Sequence, residues 1–482
     1  MKIQVQTNKV LRPYCDPTGW QNSTLRYAPK VDFPAFLANR LGKAKIMRTF
    51  ITLDEYWDYR TDITYPDYEI GVMRYPIEQL HYRYDLGMTV PSPYGTRFED
   101  YLVSHSRNAR ELLLNVRRYE REVSDGIITY DQYEDVFYRA VEYCKSLAPN
   151  IRYVECCNEV DIAAFGLLNA EEYVKIYLRA HKAITKLNEK YNYEIPLELG
   201  GFAQAHPLQN WQLMLDIMKL LQESEIGADP MAFYSYHLYN APENRNLTRS
   251  DRTELIKLSG VEKLKKITKN HWDMIEKMGL PKKPVFLNEL GRARATGADE
   301  DSLYNAAGIL TYLIAFCNGE YGEAYPFPWC TFHNPNLQIS FTQYVDKGDG
   351  VYAATPNGIA LEMLHSMHGQ QVATTVSECF GRDVQESAIA VADGDEVFVL
   401  CVNTSPDSDP AYITIEGIEN GTYQVDSYIC DLWENNVVYK RGLGDGTLKV
   451  IKNRQAEVTD GVLTDRTTLD RNSFVLVKIK KI

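Results

Sequence analysis

Two segments place a carboxylate directly behind a run of strand-forming residues. IRYVECCNEVDI ends an apolar run at Asn158–Glu159, and PKKPVFLNELG ends another at Glu289. A carboxylate at the end of a buried strand is costly unless it is partnered, so donors or cations should lie nearby. Two such groups facing one another could act on either side of a glycosidic bond, one giving a proton and the other attacking or activating water. The Asn–Glu dipeptide says little by itself. Asn188–Glu189 repeats it inside a helical pattern, where it reads as solvated surface. Glu155 and Glu198 also fall on strands; a buried salt bridge is the favoured reading for each, and a catalytic role is the alternative.

FYSYHLYN brings His237 and Tyr239 to a strand end. Residues two apart on a strand share a side. The Tyr239 hydroxyl could therefore donate to a carboxylate and keep it ionised, while a satisfied rim histidine is the alternative for His237. In YPFPWCTFHN, Trp329 ends a later strand, as a floor for a sugar ring or as core filling.

Elements that could position these groups alternate as short apolar strand, then amphipathic helix, the pattern of a parallel α/β sheet. The clearest strands are Lys45 to Phe50, Ile151 to Cys157, Ile195 to Leu199, Met231 to His237 and Pro284 to Leu287. Weaker ones fit near Tyr14, at Met88 to Val90 and at Ala324 to Thr331, which makes eight strand–helix units, the count of a (β/α)8 TIM barrel. Asn169 and Glu172 form a capping box ahead of a helix with apolar residues Tyr173, Ile176, Tyr177, Ala180, Ile184 and Leu187. Thr355–Pro356 opens another that stops by Gly369, and Asp32 could cap a first helix ending near Gly42. A doubly wound sheet is the alternative, but no GxGxxG follows the first strand.

After Gly369 the helices stop. Glu396 to Val402, Ala411 to Glu416, Thr422 to Cys430 and Ser473 to Ile479 read as an antiparallel β-sandwich. The expected division is a catalytic barrel over residues 1–370 and a sandwich over 371–482, with the N-terminal strand Lys2 to Gln6 a candidate partner of the sandwich. In a barrel, functional groups stand at the C-terminal strand ends and on the loops that follow. That rule selects Glu159, Glu289, His237, Tyr239 and Trp329, and it makes the stretch from Glu55 to Ser106 a cleft builder. Tyr56, Trp57, Tyr59, Tyr65, Tyr68 and Tyr75 are its candidate walls, with packed or solvated rings as the default.

A net charge of −13 argues against nucleic-acid binding, which needs a basic face. No apolar run reaches 18 residues, so no membrane partner is expected. Thirty-four tyrosines read as a Tyr-rich core and surface, with a sugar ligand as the alternative, since its apolar faces and hydroxyl rims match an aromatic ring with a polar tip. Nine cysteines without a CxxC pair suggest reduced thiols rather than a disulfide framework or zinc site. MKIQVQTNKV has no h-region, which reads as cytoplasmic; a secreted or periplasmic form whose signal has been removed is the alternative. No metal or other cofactor is expected. A metal-dependent barrel using Glu198, His237 and Glu289 and a non-catalytic carbohydrate-binding barrel are the competing readings. Oligomeric state is left open.

Arg48 in KIMRTF, Asn158–Glu159, His237-x-Tyr239, Glu289 and Trp329, in that order on strands two, four, six, seven and eight, resemble clan A of the glycoside hydrolases, the retaining barrel enzymes. The resemblance implies that Glu159, at the end of strand four, is the acid/base and Glu289, at the end of strand seven, the nucleophile. It implies that Asn158 bonds the 2-hydroxyl of the reacting sugar, that Tyr239 lies near the nucleophile, that Arg48 supports it, and that Trp329 belongs to the sugar subsite. The expected substrate is an oligo- or polysaccharide. A barrel followed by a sandwich is most similar to family 39, which includes β-xylosidases and α-L-iduronidases; families 30, 51 and 79 share a similar layout. The chain departs from that family at Cys157 and Val160, where Trp and Pro usually flank the Asn–Glu pair, and at Leu290, where Trp usually follows the nucleophile.

Overall fold

In a computed structural model, the protein is described for residues 1–23, 33–64, 98–239, 257–292, 300–319, 321–331, 341–346, 352–381, 383–438 and 446–482. Asp32, residues 88–90, Tyr65, Tyr68 and Tyr75 lie outside these.

Eight strands form one parallel sheet: β1 (Trp20–Asn22), β2 (Ala44–Thr52), β3 (Ala109–Arg117), β4 (Ile151–Cys156), β5 (Glu198–Gln204), β6 (Tyr234–Tyr239), β7 (Val285–Gly291) and β8 (Ala324–Pro328). Each is followed by an outer helix: α1 (Phe33–Leu41), α2 (Phe98–Asn108), α3 (Tyr130–Leu147), α4 (Ala170–Tyr191), α5 (Trp211–Glu223), α6 (Gly260–Met278), α7 (Glu300–Cys317) and α8 (Pro356–Ser366). The barrel closes between β8 and β1 through side chains. Asn22 Nδ2 donates to the carbonyls of Asn288, Phe327 and Pro328 at 2.9, 3.2 and 3.3 Å, and Trp20 stacks on Tyr325 at 4.9 Å.

Local chemistry accounts for four of the eight helix starts. Thr129 with Gln132, Asn169 with Glu172 and Ser259 with Glu262 form reciprocal capping boxes, and Thr355 caps α8 ahead of Pro356. The apolar stripe of α4 is buried against the sheet as its spacing predicts.

Three strands differ from the expected ones. The first barrel strand is Trp20–Asn22 rather than a segment near Tyr14, because Asp16 caps a 3-10 turn at Pro17–Gly19 that first redirects the chain. Tyr14 instead bonds α8, its hydroxyl donating to the Leu364 carbonyl at 2.9 Å. The third position belongs to Ala109–Arg117, flanked by β2 and β4. The fifth strand begins at Glu198 and continues through Gly200–Gly201, a pair that reads in sequence as a terminator. Here the glycines are needed for close approach: a Cβ on Gly200 would lie 2.5 Å from the Phe233 carbonyl oxygen, and one on Gly201 would lie 2.8 Å from the Tyr173 hydroxyl.

The C-terminal region adds β9 (Gln370–Ser377), β10 (Ala388–Asp393), β11 (Glu396–Val402), β12 (Asp409–Glu416), β13 (Gly421–Cys430), β14 (Lys452–Val458), β15 (Val462–Leu469) and β16 (Phe474–Lys481). With the N-terminal strand Lys2–Pro13 they make a nine-stranded sheet in the order β14–β13–β16–β11–β10–β9–N-terminal strand–β12–β15. All pairs are antiparallel except the N-terminal strand on β12. The two edge strands, β14 and β15, are chain neighbours, and Arg454 reaches Asp465 between them at 2.8 Å. The sheet therefore folds over an inner core that includes Ile3, Val399, Ile413, Val425, Leu463 and Val477.

Alternation on β10 and β11 fixes this sheet to the barrel. Ala388, Ala390, Val397 and Val399 face its own core, while Ile389, Val391, Phe398, Leu400 and Val402 join the core beneath the barrel helices. Each large side chain contributes roughly 1.5–3 kcal/mol when fully buried, so this contact extends the core. No helix among the described residues is long and apolar enough to cross a membrane. The nine cysteines are all free, and those in the apolar runs (Cys144, Cys156, Cys157, Cys317, Cys330, Cys401) are buried.

Candidate active site

The barrel lumen is layered with a period of two residues along each strand. At the bottom Trp20, Ile46, Leu113, Tyr153, Phe233, Phe286 and Phe327 fill the space as one apolar cluster. Two residues further on come Asn22, Arg48, Asn115, Glu155, Ser235 and Asn288, all essentially inaccessible to solvent. The same alternation that seals the floor therefore stacks a polar layer on it. At the C-terminal mouth above stand Asn158, Glu159, His237, Tyr239, Glu289 and Trp329, all the sequence-selected residues except Arg48.

Arg48, fully buried, ties the layers together. Its Nε and Nη2 donate to Glu155 Oε2 at 2.9 and 2.7 Å, Nη1 donates to Glu289 Oε1 at 2.7 Å, and Nη2 donates to Asn158 Oδ1 at 2.8 Å. Asn115 Nδ2 adds a bond to Glu155 Oε2 at 2.7 Å, and Asn288 Nδ2 donates to Glu155 Oε1. Glu155 is thus the buried salt-bridge member favoured from sequence. Glu198 is not at the mouth: it opens β5 at the opposite end of the barrel and pairs with Arg152 at 2.9 Å, both side chains partly exposed. The trio of Glu198, His237 and Glu289 does not come together.

Irregular backbone aims the two mouth carboxylates. On β7, Leu287 pairs with Tyr236 and Glu289 with His237, so Asn288 is an extra residue in the register. This bulge lets Asn288 and Glu289 both face inward, a common use of bulges beside functional sites. At the end of β4, Cys157 and Glu159 take left-handed φ values of 68° and 48°. Non-glycine residues rarely adopt this region. Two backbone bonds hold the turn, Cys157 N to the Val116 carbonyl at 2.9 Å and Glu159 N to the Ala203 carbonyl at 2.8 Å. Asp161 fastens the next loop by accepting from the backbone N–H groups of Ala205 and His206 and from Asn210 Nδ2.

His237 and Tyr239 point to the same side, as their spacing requires, and each meets one carboxylate. Tyr239 donates its hydroxyl to Glu289 Oε2 at 2.6 Å. His237 Nδ1 lies 2.7 Å from Glu159 Oε1 and 3.5 Å from Glu289 Oε2. Ligating atoms of Glu159, His237 and Glu289 all fall within 4.8 Å of one another. A cation could touch all three by distance alone, but the Arg48 guanidinium at Glu289 would repel it.

The two glutamates occupy opposite electrostatic environments. Burial pushes both upward. For Glu289 the charges of His237 and Arg48 and the bonds from Tyr239 and Arg48 outweigh it and hold the carboxyl below the usual range. For Glu159 burial prevails, reinforced by the charge of Glu289 against the bond from His237, and its pKa is raised. Burial would lower His237, but Glu289 and Glu159 raise it. Glu159 is also the more accessible, with 14% of its side chain exposed against 7% for Glu289.

Aromatic rings wall the Glu289 side. Trp329 follows β8, is 8% exposed and meets Phe50 edge-on at 5.9 Å; Phe341 packs on Tyr239 at 5.6 Å. The guanidinium carbons of Arg48 and Arg117 lie 4.8 and 4.7 Å from the Phe50 ring centre. Of the proposed cleft walls, Tyr56 and Trp57 are instead buried in the outer core, and Tyr59 packs against it. Sequence reading passed over Asn115, Asn288, Asp161, Phe50 and Phe341. Asn115 had a signal, the lone polar residue inside the apolar run LLLNV; Asn288 repeats the Asn–Glu pairing of Asn158–Glu159.

A parallel eight-stranded barrel with outer helices, joined to a mixed sheet that includes the N-terminal strand, is the fold of solved clan A glycoside hydrolases. One is a family 39 enzyme from Xanthomonas axonopodis pv. citri, 16% identical, with a TM-score of 0.66 over 100% of this chain and 97% of that one. Another is a monomeric β-xylosidase from Caulobacter crescentus, 12% identical, with a TM-score of 0.64 over 100% and 99%. A family 51 α-L-arabinofuranosidase from Thermotoga petrophila is 15% identical, with a TM-score of 0.59 over 99% of each chain. No protein-family model and no curated protein sequence matches the chain. At these identities the likeness is one of fold.

Proposed function

We propose that the protein is a retaining glycoside hydrolase cleaving O-glycosidic bonds of an oligo- or polysaccharide, with Glu289 as nucleophile and Glu159 as acid/base. One observation carries the reading: two carboxylates whose facing atoms lie within 4.8 Å, one environment favouring the anion and the other the acid. Retaining enzymes place their carboxyl groups about 5–5.5 Å apart, inverting ones about 6.5–9.5 Å to admit a water.

In the first step a Glu289 oxygen bonds the anomeric carbon as the glycosidic C–O bond breaks, and Glu159 gives its proton to the leaving oxygen. In the second, water attacks the glycosyl ester, Glu159 takes the water's proton, and Glu289 leaves as a carboxylate. Arg48 and Tyr239 keep Glu289 ionised and oriented. Arg48 engages the oxygen end of the Asn158 amide, which leaves the nitrogen end for the sugar 2-hydroxyl. His237 orients Glu159, and Trp329 with Phe341 borders the sugar subsite. The fold shared with a β-xylosidase makes aryl xylosides the first substrates to try.

Glu289→Ala should abolish turnover of activated aryl glycosides, and added azide should restore a glycosyl azide of inverted configuration. Surviving activity, or an azide product of retained configuration, would show that Glu289 does not attack the sugar.

A further inference from the structure

A separate cavity of about 380 Å³ opens between the first turn of α6, one face of α7 from Tyr304 to Tyr312, and two loops of the C-terminal sheet. That volume is at the lower end of the roughly 300–1,000 Å³ typical of small-molecule sites. It begins three residues beyond Glu289, where Arg292 leaves β7.

Two glycines shape its walls. A Cβ on Gly308 would lie 2.4 Å from Arg292 Cδ, so the arginine can lie flat on α7, with its guanidinium carbon 3.8 Å from the Tyr304 ring centre. A Cβ on Gly260 would lie 2.4 Å from the Tyr312 hydroxyl. That hydroxyl belongs to a residue only 1% exposed, yet it has no hydrogen-bond partner among the described residues. Leaving such a group unsatisfied costs about 1–3 kcal/mol unless a bound molecule meets it. Arg292, Asp383 and Tyr304 are its electrostatic neighbours, and Asp383 bonds Ser259 at the start of α6. Phe380 stands on the rim, 71% exposed.

The lining offers an open aromatic face, the cations of Arg292 and Lys263, a carboxyl group and an unpartnered hydroxyl. A simple anion would be drawn by Arg292, Lys263 and the helix start but opposed by Asp383, and it has no use for the ring. A saccharide uses all four, its C–H face on Phe380 and its hydroxyls on the polar groups. We propose that this cavity is a second, non-catalytic saccharide site taking one or two sugar rings; the ligand class rests on the glycosidase reading above.

Calorimetric titration of Glu289→Ala with xylobiose, cellobiose and arabinobiose tests it. At least one of these should bind at two sites per chain. Adding Phe380→Ala with Tyr312→Phe should weaken one site at least tenfold and leave the other within twofold. With Glu289 intact, the same pair should leave kcat/KM on an aryl glycoside within twofold. Tyr312→Phe removes a hydroxyl without a partner, so thermal stability should not fall. Binding of no probe, a single site left intact by the double substitution for every probe that binds, or two sites indifferent to it overturns the proposal. Binding abolished by Phe380→Ala with Tyr312→Phe, in a protein that hydrolyses no glycoside, would instead uphold this site and overturn the glycosidase reading.

Discussion

Arg48→Met tests whether one buried cation organises the mouth. The substitution keeps a long apolar stem but deletes the guanidinium, leaving Glu155 and Glu289 buried without their shared charge. Breaking a buried pair by removing one partner costs about 3–5 kcal/mol. With roughly 2.1 cal/mol/K of unfolding entropy per residue over about 370 barrel residues, that is a fall in Tm of about 4–6 °C. The loss should depend on pH. In the parent, Glu289 is held below the ordinary range, so its stabilisation is present above the unfolded-state pKa and is lost as pH falls through the folded value. In the variant, burial acts without Arg48 and Glu289 favours its protonated form. The gap between the two proteins should therefore be widest at pH 7–8 and narrow toward pH 4. Thermal unfolding across that range is the assay, with the acid limb of kcat/KM expected to move upward in parallel. A variant within about 1 kcal/mol of the parent at every pH would refute the assigned role of the arginine.

Activity should fall as pH drops through the lowered Glu289 pKa and as it rises through the raised Glu159 pKa, giving a bell-shaped kcat/KM profile. Glu159→Gln should flatten the alkaline limb and spare dinitrophenyl glycosides, which need no proton, far more than alkyl glycosides; equal losses on both would contradict its role. Asn22→Leu removes the donor that bridges β8 and β1 and strands three carbonyls, so it should cost about 1–3 kcal/mol. Hydrogen exchange should rise most at Ala324–Pro328, and uniform exchange would argue that the seam is held elsewhere.

The strand–helix alternation, the capped starts of α4 and α8 and the paired carboxyl segments were legible in the sequence because each rests on residues close in the chain. Strand-end position even singled out Glu159 and Glu289 among many acids. Two errors have one source. Gly200–Gly201 reads as a break until Phe233 and Tyr173 are seen pressing on it, and β3 was passed over in favour of residues 88–90. Both depend on what packs alongside.

By itself, the sequence determined the period of each element and the candidate groups at strand ends, since side-chain direction follows from backbone geometry. Only the tertiary structure decided the environment that each carboxylate meets. Glu159 and Glu289 follow similar apolar runs, each after an asparagine. Arg48 and Tyr239 arrive at Glu289 from β2 and β6, while His237 reaches Glu159 and burial there goes unanswered by a guanidinium. Electrostatic environment depends on distance in space, and residues 48, 159, 239 and 289 become neighbours only when the barrel closes.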